Sequence, residues 1–221
     1  MRPGVSAPIV RRLGLVDYLP TWQAMQAFTA RRDTATPDEI WLLEHAPVFT
    51  LGLAGRDGQL LRDIGVPLLH VDRGGQITYH GPGQIVCYLL LDLTRRGLTV
   101  RETVSLMEQV VIDTVAAYGI KAHRRPGAPG VYVGTRSGDA KLAALGLRVR
   151  RGCCYHGLAM NVDIDLAPFA AIHPCGDPGM PVTRLADLGV DITRQSAAEA
   201  LCERLLATLA AATKAPRTPA P

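Results

Sequence analysis

Aromatic residues are scarce in this chain: Phe, Trp and Tyr together make up 5% of 221 positions. No aromatic-rich RNA-binding motif and no zinc-finger spacing occurs. The Lys and Arg residues are scattered rather than run together, so nucleic acid is not an expected partner. Long apolar runs are missing too; none approaches the roughly 20 residues that a membrane-spanning helix needs. The opening MRPGVSAPIVRRLG has neither the continuous apolar stretch nor the cleavage site of a secretory signal. Neither GKS nor GKT is present, and no GxGxxG stands between a strand and a helix, which leaves out two familiar nucleotide cradles. CxxC and HxxxH are absent as well. Five cysteines, an odd number without a secretory signal, suit reduced thiols in a cytoplasmic protein. The formal charge of +4 is too small to steer more than a moderately acidic partner surface.

What the chain has in abundance is glycine in one place. Arg73 to Gln84 reads RGGQITYHGPGQ and sets Gly74, Gly75, Gly81 and Gly83 around Thr78, Tyr79 and His80. Dense glycine lets backbone approach a ligand and adopt dihedrals that other residues avoid. The polar side chains between the glycines supply donors and acceptors, and the apolar run Ile85 to Leu93 that follows reads as a buried strand. A plain glycine-rich turn between two strands fits the same letters.

Around this segment the pattern alternates between helix and strand. Met1 to Gly14 reads as a loose lead into a first strand, and Leu19 to Arg32 as a helix with Trp22, Met25, Ala27 and Phe28 on one face. Strands are expected at Glu39 to Glu44, Val48 to Leu51, Pro67 to Asp72, Gly130 to Gly134, Lys141 to Arg150 and Tyr155 to Val162. The strongest helix signal is Val100 to Tyr118, stopped by Gly119. Leu166 to His173 is a short helix or coil. Ser196 to Thr213 is an alanine-rich helix, with Ser196 as cap and Glu199 at its third position. The fold class is α+β (mixed α/β), with a substantial sheet. Residues 1–17 form a lead, 18–213 one domain, and 214–221 a tail disordered by composition.

Chemistry then rests on thiols and amines. Cys87 and Cys202 read as small buried hydrophobes. Cys175 differs: it stands in HPCG, where Pro174 fixes the approach and Gly176 leaves room beside the sulfur. A reactive thiol needs a neighbour that lowers its pKa or takes its proton. Lys141, in the weakly charged DAKLAALGL, is a candidate for either task, although a solvated strand-edge lysine reads the same way. A metal site is the competitor, since Cys153, Cys154, His156, His173 and Cys175 fall within 23 positions. Vicinal cysteines on a strand point to opposite faces, which argues against a shared ion.

The motifs RGGQITYHGPGQIVCYLLLDL, Lys141 ahead of GLR, HGLAMNVD and HPCG, with EHAPVFTLGLAG upstream, occur in an order that resembles the octanoyltransferases of lipoate biosynthesis. The resemblance runs from about Tyr18 to Leu206. It implies the single-domain fold of the biotin and lipoate protein ligases, a central mixed sheet flanked by helices. It implies transfer of an octanoyl group from acyl carrier protein to a lysine of lipoyl domains, those of the 2-oxoacid dehydrogenases and of the glycine cleavage H protein. The implied nucleophile is Cys175, and Lys141 lowers its pKa or acts as acid and base. The implied acyl-binding residues are Arg73, Gly74, Gly75, Gln76, Ile77, Thr78, Tyr79 and His80, then Ala144, Leu145 and Gly146, then Gly157, Leu158 and Ala159. No cofactor, metal or membrane is implied, and a monomer is expected. His80 is expected to orient the glycine loop rather than touch the reacting carbon. Leu145 and Leu158 are candidate slot walls, and Arg148, Arg150 and Arg151 a candidate docking patch for an acidic carrier. Arg184, in GMPVTRL, is given no role. An ATP-dependent ligase of the same fold and a non-catalytic carrier-binding protein are the competing readings.

Overall fold

Strand Gln84–Asp92 is buried along nearly its whole length, and the other elements are arranged around it. The computed structural model describes residues 5–56, 58–136, 138–173 and 180–214. In chain order they form β1 (Ile9–Val16), α1 (Tyr18–Arg31), β2 (Glu39–His45), β3 (Val48–Leu51), β4 (Leu68–His70), β5 (Ile77–His80), β6 (Gln84–Asp92), the single turn α2 (Leu93–Arg96), α3 (Val100–Ala116), β7 (Ala122–Arg125), β8 (Ala128–Thr135), β9 (Gly138–Arg150), β10 (Cys153–Asn161) and α4 (Arg194–Lys214). Seven strands make one sheet in the order β1-β2-β6-β10-β9-β8-β7, and β4-β3-β5 make a second. Within the large sheet β1 and β2 run parallel while the pairs of β6, β10, β9, β8 and β7 are antiparallel, so the sheet is mixed.

Side-chain alternation splits β6 between two environments. Ile85, Cys87, Leu89 and Leu91 join a core with Met107, Val110, Val111 and Val115 of α3 and Leu201, Leu205 and Leu209 of α4. Val86, Tyr88 and Leu90 face the other way, toward Met25 of α1, Trp41, Leu43, Tyr155 and Ala159. Helix α3 begins at a capping box in which Thr99 and Glu102 satisfy each other's backbone N–H groups. Two short strands escape a hydrophobicity reading. β5 lies inside the glycine-rich run, and β7 (AHRR) has no apolar alternation and forms by pairing with β8. β1 begins earlier than expected because it is an edge strand whose side chains are mostly exposed, so hydrophobic burial does not mark it. The cap of α4 also differs: Thr193 Oγ1 accepts from the Ser196 N–H, which places Ser196 inside the helix. No helix among the described residues is long and apolar enough to cross a membrane.

Candidate active site

The glycine segment lies flush against β9. Gly74 N–H donates to Leu147 O at 2.9 Å, and a Cβ on Gly146 would come within 2.7 Å of Gly74 O, so only glycine fits there. Arg73 turns its guanidinium inward, donating to Thr50 O and Thr50 Oγ1, each at 2.7 Å. Between this segment and the sheet is a cavity of about 370 Å³. Arg73, Gly74, Gly75, Gln76, Ile77, Thr78 and His80 line it, with Ala144, Leu145 and Gly146 from β9 and Gly157, Leu158 and Ala159 from β10. Tyr79 is the exception among the expected contacts. Strand alternation turns its ring toward Phe49 and Phe169, in the core under the small sheet, and it does not line the cavity.

Lys141 lines this cavity and is 5% exposed. Its Nζ donates to Pro129 O at 3.3 Å and lies 5.1 Å from the centre of the Tyr132 ring. Gly130 leaves the space, because a Cβ there would meet Lys141 Cε at 2.9 Å. The solvated reading of this lysine is thereby excluded. Its backbone is clasped by a following strap: Lys141 N–H donates to Pro181 O at 2.8 Å, and Thr183 N–H donates to Lys141 O at 3.0 Å. Pro174, Cys175 and Gly176 lie outside the described residues. On either side of them, His173 N–H donates to Gln59 O, and His173 and Met180 line a smaller cavity that shares Phe169 and Val182 with the first.

His80 has both ring nitrogens engaged. Gln84 donates through its amide nitrogen to Asn161 Oδ1 and Tyr79 O, so its Oε1 accepts from His80 Nδ1–H at 2.7 Å. His80 Nε2 faces the Thr50 hydroxyl at 3.4 Å, and that oxygen already accepts from Arg73. Asn161 continues the relay by donating to Thr183 O at 2.9 Å. Burial, with the nearby His45 and Arg73, pushes the imidazole's pKa well below its ordinary value. A neutral, doubly bonded His80 fits the orienting task.

Further polar residues meet around this site that no single sequence motif groups. His45 donates from Nδ1 to Val16 O and accepts at Nε2 from the Tyr88 hydroxyl at 2.7 Å; burial lowers its pKa to about 4. Tyr18 packs on the His45 and His80 rings. Burial raises its hydroxyl to about 12. His156 donates from Nε2 to Asp72 at 3.1 Å. It is one of the five residues of the competing metal reading; among the described residues, which do not include Cys175, no three His, Cys, Asp or Glu side chains gather as a metal site. Burial pushes the Cys87 thiol up and takes Cys154 to about 12, so neither is a ready thiolate. Arg184 donates to Ile164 O at 2.8 Å, tying the strap to the chain after β10. Of the candidate docking patch, Arg148 and Arg150 are exposed at the end of β9; Arg151, also exposed, donates to Ala30 O at 2.7 Å.

Residues 17–206 match the family model for the lipoyl protein ligase A/B catalytic domain. An octanoyltransferase of Azoarcus sp. (strain BH72) is 62% identical over 207 residues, covering 93% of this chain and 89% of its own. One from Dechloromonas aromatica (strain RCB) is 59% identical over 202 residues, covering 91% and 97%. Among solved structures, a lipoate-protein ligase A bound with ATP superposes with a TM-score of 0.72 at 16% identity, over 92% of this chain and 86% of its own. The biotin protein ligase from Aquifex aeolicus in complex with biotin and ATP does so at 0.57 and 12%, over 91% and 70%.

Proposed function

The chain belongs to the lipoyl protein ligase A/B catalytic domain family, and from that premise we propose how it carries out octanoyl transfer in protein lipoylation. Cys175 takes the octanoyl group from acyl carrier protein, and a lysine of a lipoyl domain takes it from Cys175. The cavity holds the chain between the glycine segment, β9 and β10. The observation that carries this reading is a buried amine, Lys141, in the wall of an otherwise largely apolar slot.

The steps follow from leaving groups. The Cys175 thiolate attacks the carrier thioester carbon; a carbon–sulfur bond forms, and the carrier's thiol departs with a proton. Thioester replaces thioester, so the exchange is close to thermoneutral. The acceptor lysine amine then attacks, the Cys175 sulfur leaves, and an amide forms downhill. The acyl group arrives activated, so no nucleotide is consumed. Splitting the transfer this way is covalent catalysis. Lys141 stabilises the thiolate as an ammonium or receives protons as an amine. Each methylene in the slot contributes about 0.8 kcal/mol.

Intact-mass measurement tests the reading. Mixed with octanoyl carrier protein and no ATP, the wild-type chain gains one octanoyl group. Cys175→Ala gains none, and Lys141→Ala gains it about 10² to 10⁴ times more slowly. Wild-type transfer by Cys175→Ala would reject the nucleophile. A requirement for ATP would restore the ligase reading.

A further inference from the structure

Glu108 is a carboxylate on the apolar side of α3. It is 7% exposed, and Val104 and Val111, which share its side of the helix, pack in or against the main core. A carboxylate taken out of water is costly unless it is paired and hydrogen-bonded. Here both oxygens are engaged: Oε2 accepts from Arg124 Nε at 3.0 Å, and Oε1 accepts from the Gly130 N–H at 3.1 Å. Arg124 also donates to Ser105 O and to Gln109 Oε1, each at 2.9 Å, which fastens β7 to α3. The bond to Gly130 reaches elsewhere, into β8 beside Lys141.

That N–H belongs to the Pro129–Gly130 peptide, and the carbonyl of the same peptide accepts from Lys141 Nζ at 3.3 Å. A peptide unit is planar, and in the trans form present here its N–H and C=O point opposite ways. One rigid unit therefore carries the carboxylate at one edge and the amine at the other. It sits where the strand pairing is irregular. The β7–β8 register shifts between His123 and Arg125, opposite this stretch, and the β8–β9 register shifts between Val131 and Tyr132. Such bulges break ladder bonds and re-aim side chains. Gly130 has φ +149°, and a Cβ on it would meet Lys141 Nζ at 3.1 Å, so the unit lies directly against the amine it bonds.

We propose that Glu108 is a positioning residue for octanoyl transfer: through the Pro129–Gly130 peptide it fixes where the Lys141 amine stands. Its negative charge on the N–H also polarises the peptide, which makes the carbonyl a stronger acceptor for that amine. Glu108 does not line the cavity, so it acts through Lys141 rather than on the acyl chain. The role rests on reading Lys141 as the group that lowers the Cys175 pKa or moves its proton. Misplacing such a group by about 1 Å costs up to about 10²-fold in rate.

A double-mutant cycle on the full chain tests this. Octanoyl-enzyme formation from octanoyl carrier protein is timed by intact mass, per folded molecule, in the wild type, Glu108→Gln, Lys141→Ala and the double variant. Glutamine keeps the volume but offers one acceptor oxygen to two donors, Arg124 and the Gly130 N–H. Glu108→Gln is expected to slow acylation about tenfold while Lys141 is present, and by less than about twofold once it is alanine. Equal slowing in both backgrounds overturns the positioning role, because a merely structural carboxylate acts without Lys141. So does a wild-type rate in Glu108→Gln. In either case Lys141→Ala is still slow, and the reading of Lys141 stands. If Lys141→Ala acylates at the wild-type rate, that reading falls and takes the positioning role with it. Where Glu108→Gln does not fold, Glu108→Asp carries the same cycle and the same expectation: it keeps the charge beside Arg124 and withdraws the oxygen from Gly130 by one methylene.

Discussion

The two faces of β6 carry neighbouring residues into opposite kinds of environment. Ile85, Cys87, Leu89 and Leu91 meet the aliphatic side chains of α3 and α4, and no charge is needed there. On the other face Gln84 and Tyr88 join His45, Thr50, Arg73, His80, His156 and Asn161, all buried and most tied into hydrogen-bond chains. One face supplies burial energy. The other uses burial to hold imidazoles neutral and an amine close to its cavity. The cysteines show the same division: Cys87 and Cys154 face hydrocarbon and are inert by desolvation, whatever their number suggests about redox chemistry.

The division breaks first under truncation of the hydrocarbon face. Leu89→Ala, at a side chain with no exposure, is expected to lower stability by about 2–5 kcal/mol in a denaturant titration. Octanoyl transfer per folded molecule should change little, because Leu89 does not line the cavity. A large loss of transfer at constant folded fraction would show that the faces are coupled.

Acid should act on the polar face instead. His45 has a folded pKa of about 4 against an ordinary value of 6.5, and those of His80 and His156 are lowered too. The unfolded chain then binds more protons than the folded one between those values. His45's contribution is fully present above about pH 6.5, and on the order of 3 kcal/mol is lost as pH falls toward 4. Asp72, held low in the folded state, adds its loss only below the usual carboxyl range. Melting temperature measured from pH 8 to pH 4 should fall from about 6.5 downward; a flat profile to pH 5 would mean these histidines are not buried neutral.

The smallest effect sharpens the comparison most. Gly146→Ala puts a methyl group 2.7 Å from Gly74 O, where only backbone can give way. Overpacking of this kind costs about 1–3 kcal/mol. The displaced glycine segment should weaken octanoate binding by more than the same cost in stability at Leu89 does. Equal binding in the two variants, compared by calorimetry, would count against the flush contact between that segment and β9.

Much of this was legible in the residues. The continuous apolar run Ile85 to Leu93 points to β6, the strand patterns at Lys141 to Arg150 and Tyr155 to Val162 point to β9 and β10, and the glycine density of Arg73 to Gln84 points to backbone that lines the cavity. Lys141 stood out as a cation among Ala, Leu and Gly. Tyr79 was placed in that wall because its neighbours belong there; strand alternation sends it to the opposite core. Tyr18, His45, Tyr88 and His156 gave no signal as a group, since they come from α1, β2, β6 and β10 and meet only when the sheet is assembled.

Local order along the chain therefore determined which segments pair and bury, because side-chain period and glycine's freedom act over a few residues. The tertiary structure alone decided which polar groups share a cavity and what protons they hold. Hydrogen-bond partners and desolvation are set by neighbours distant in sequence, as Asp72 sets the tautomer of His156 across 84 positions.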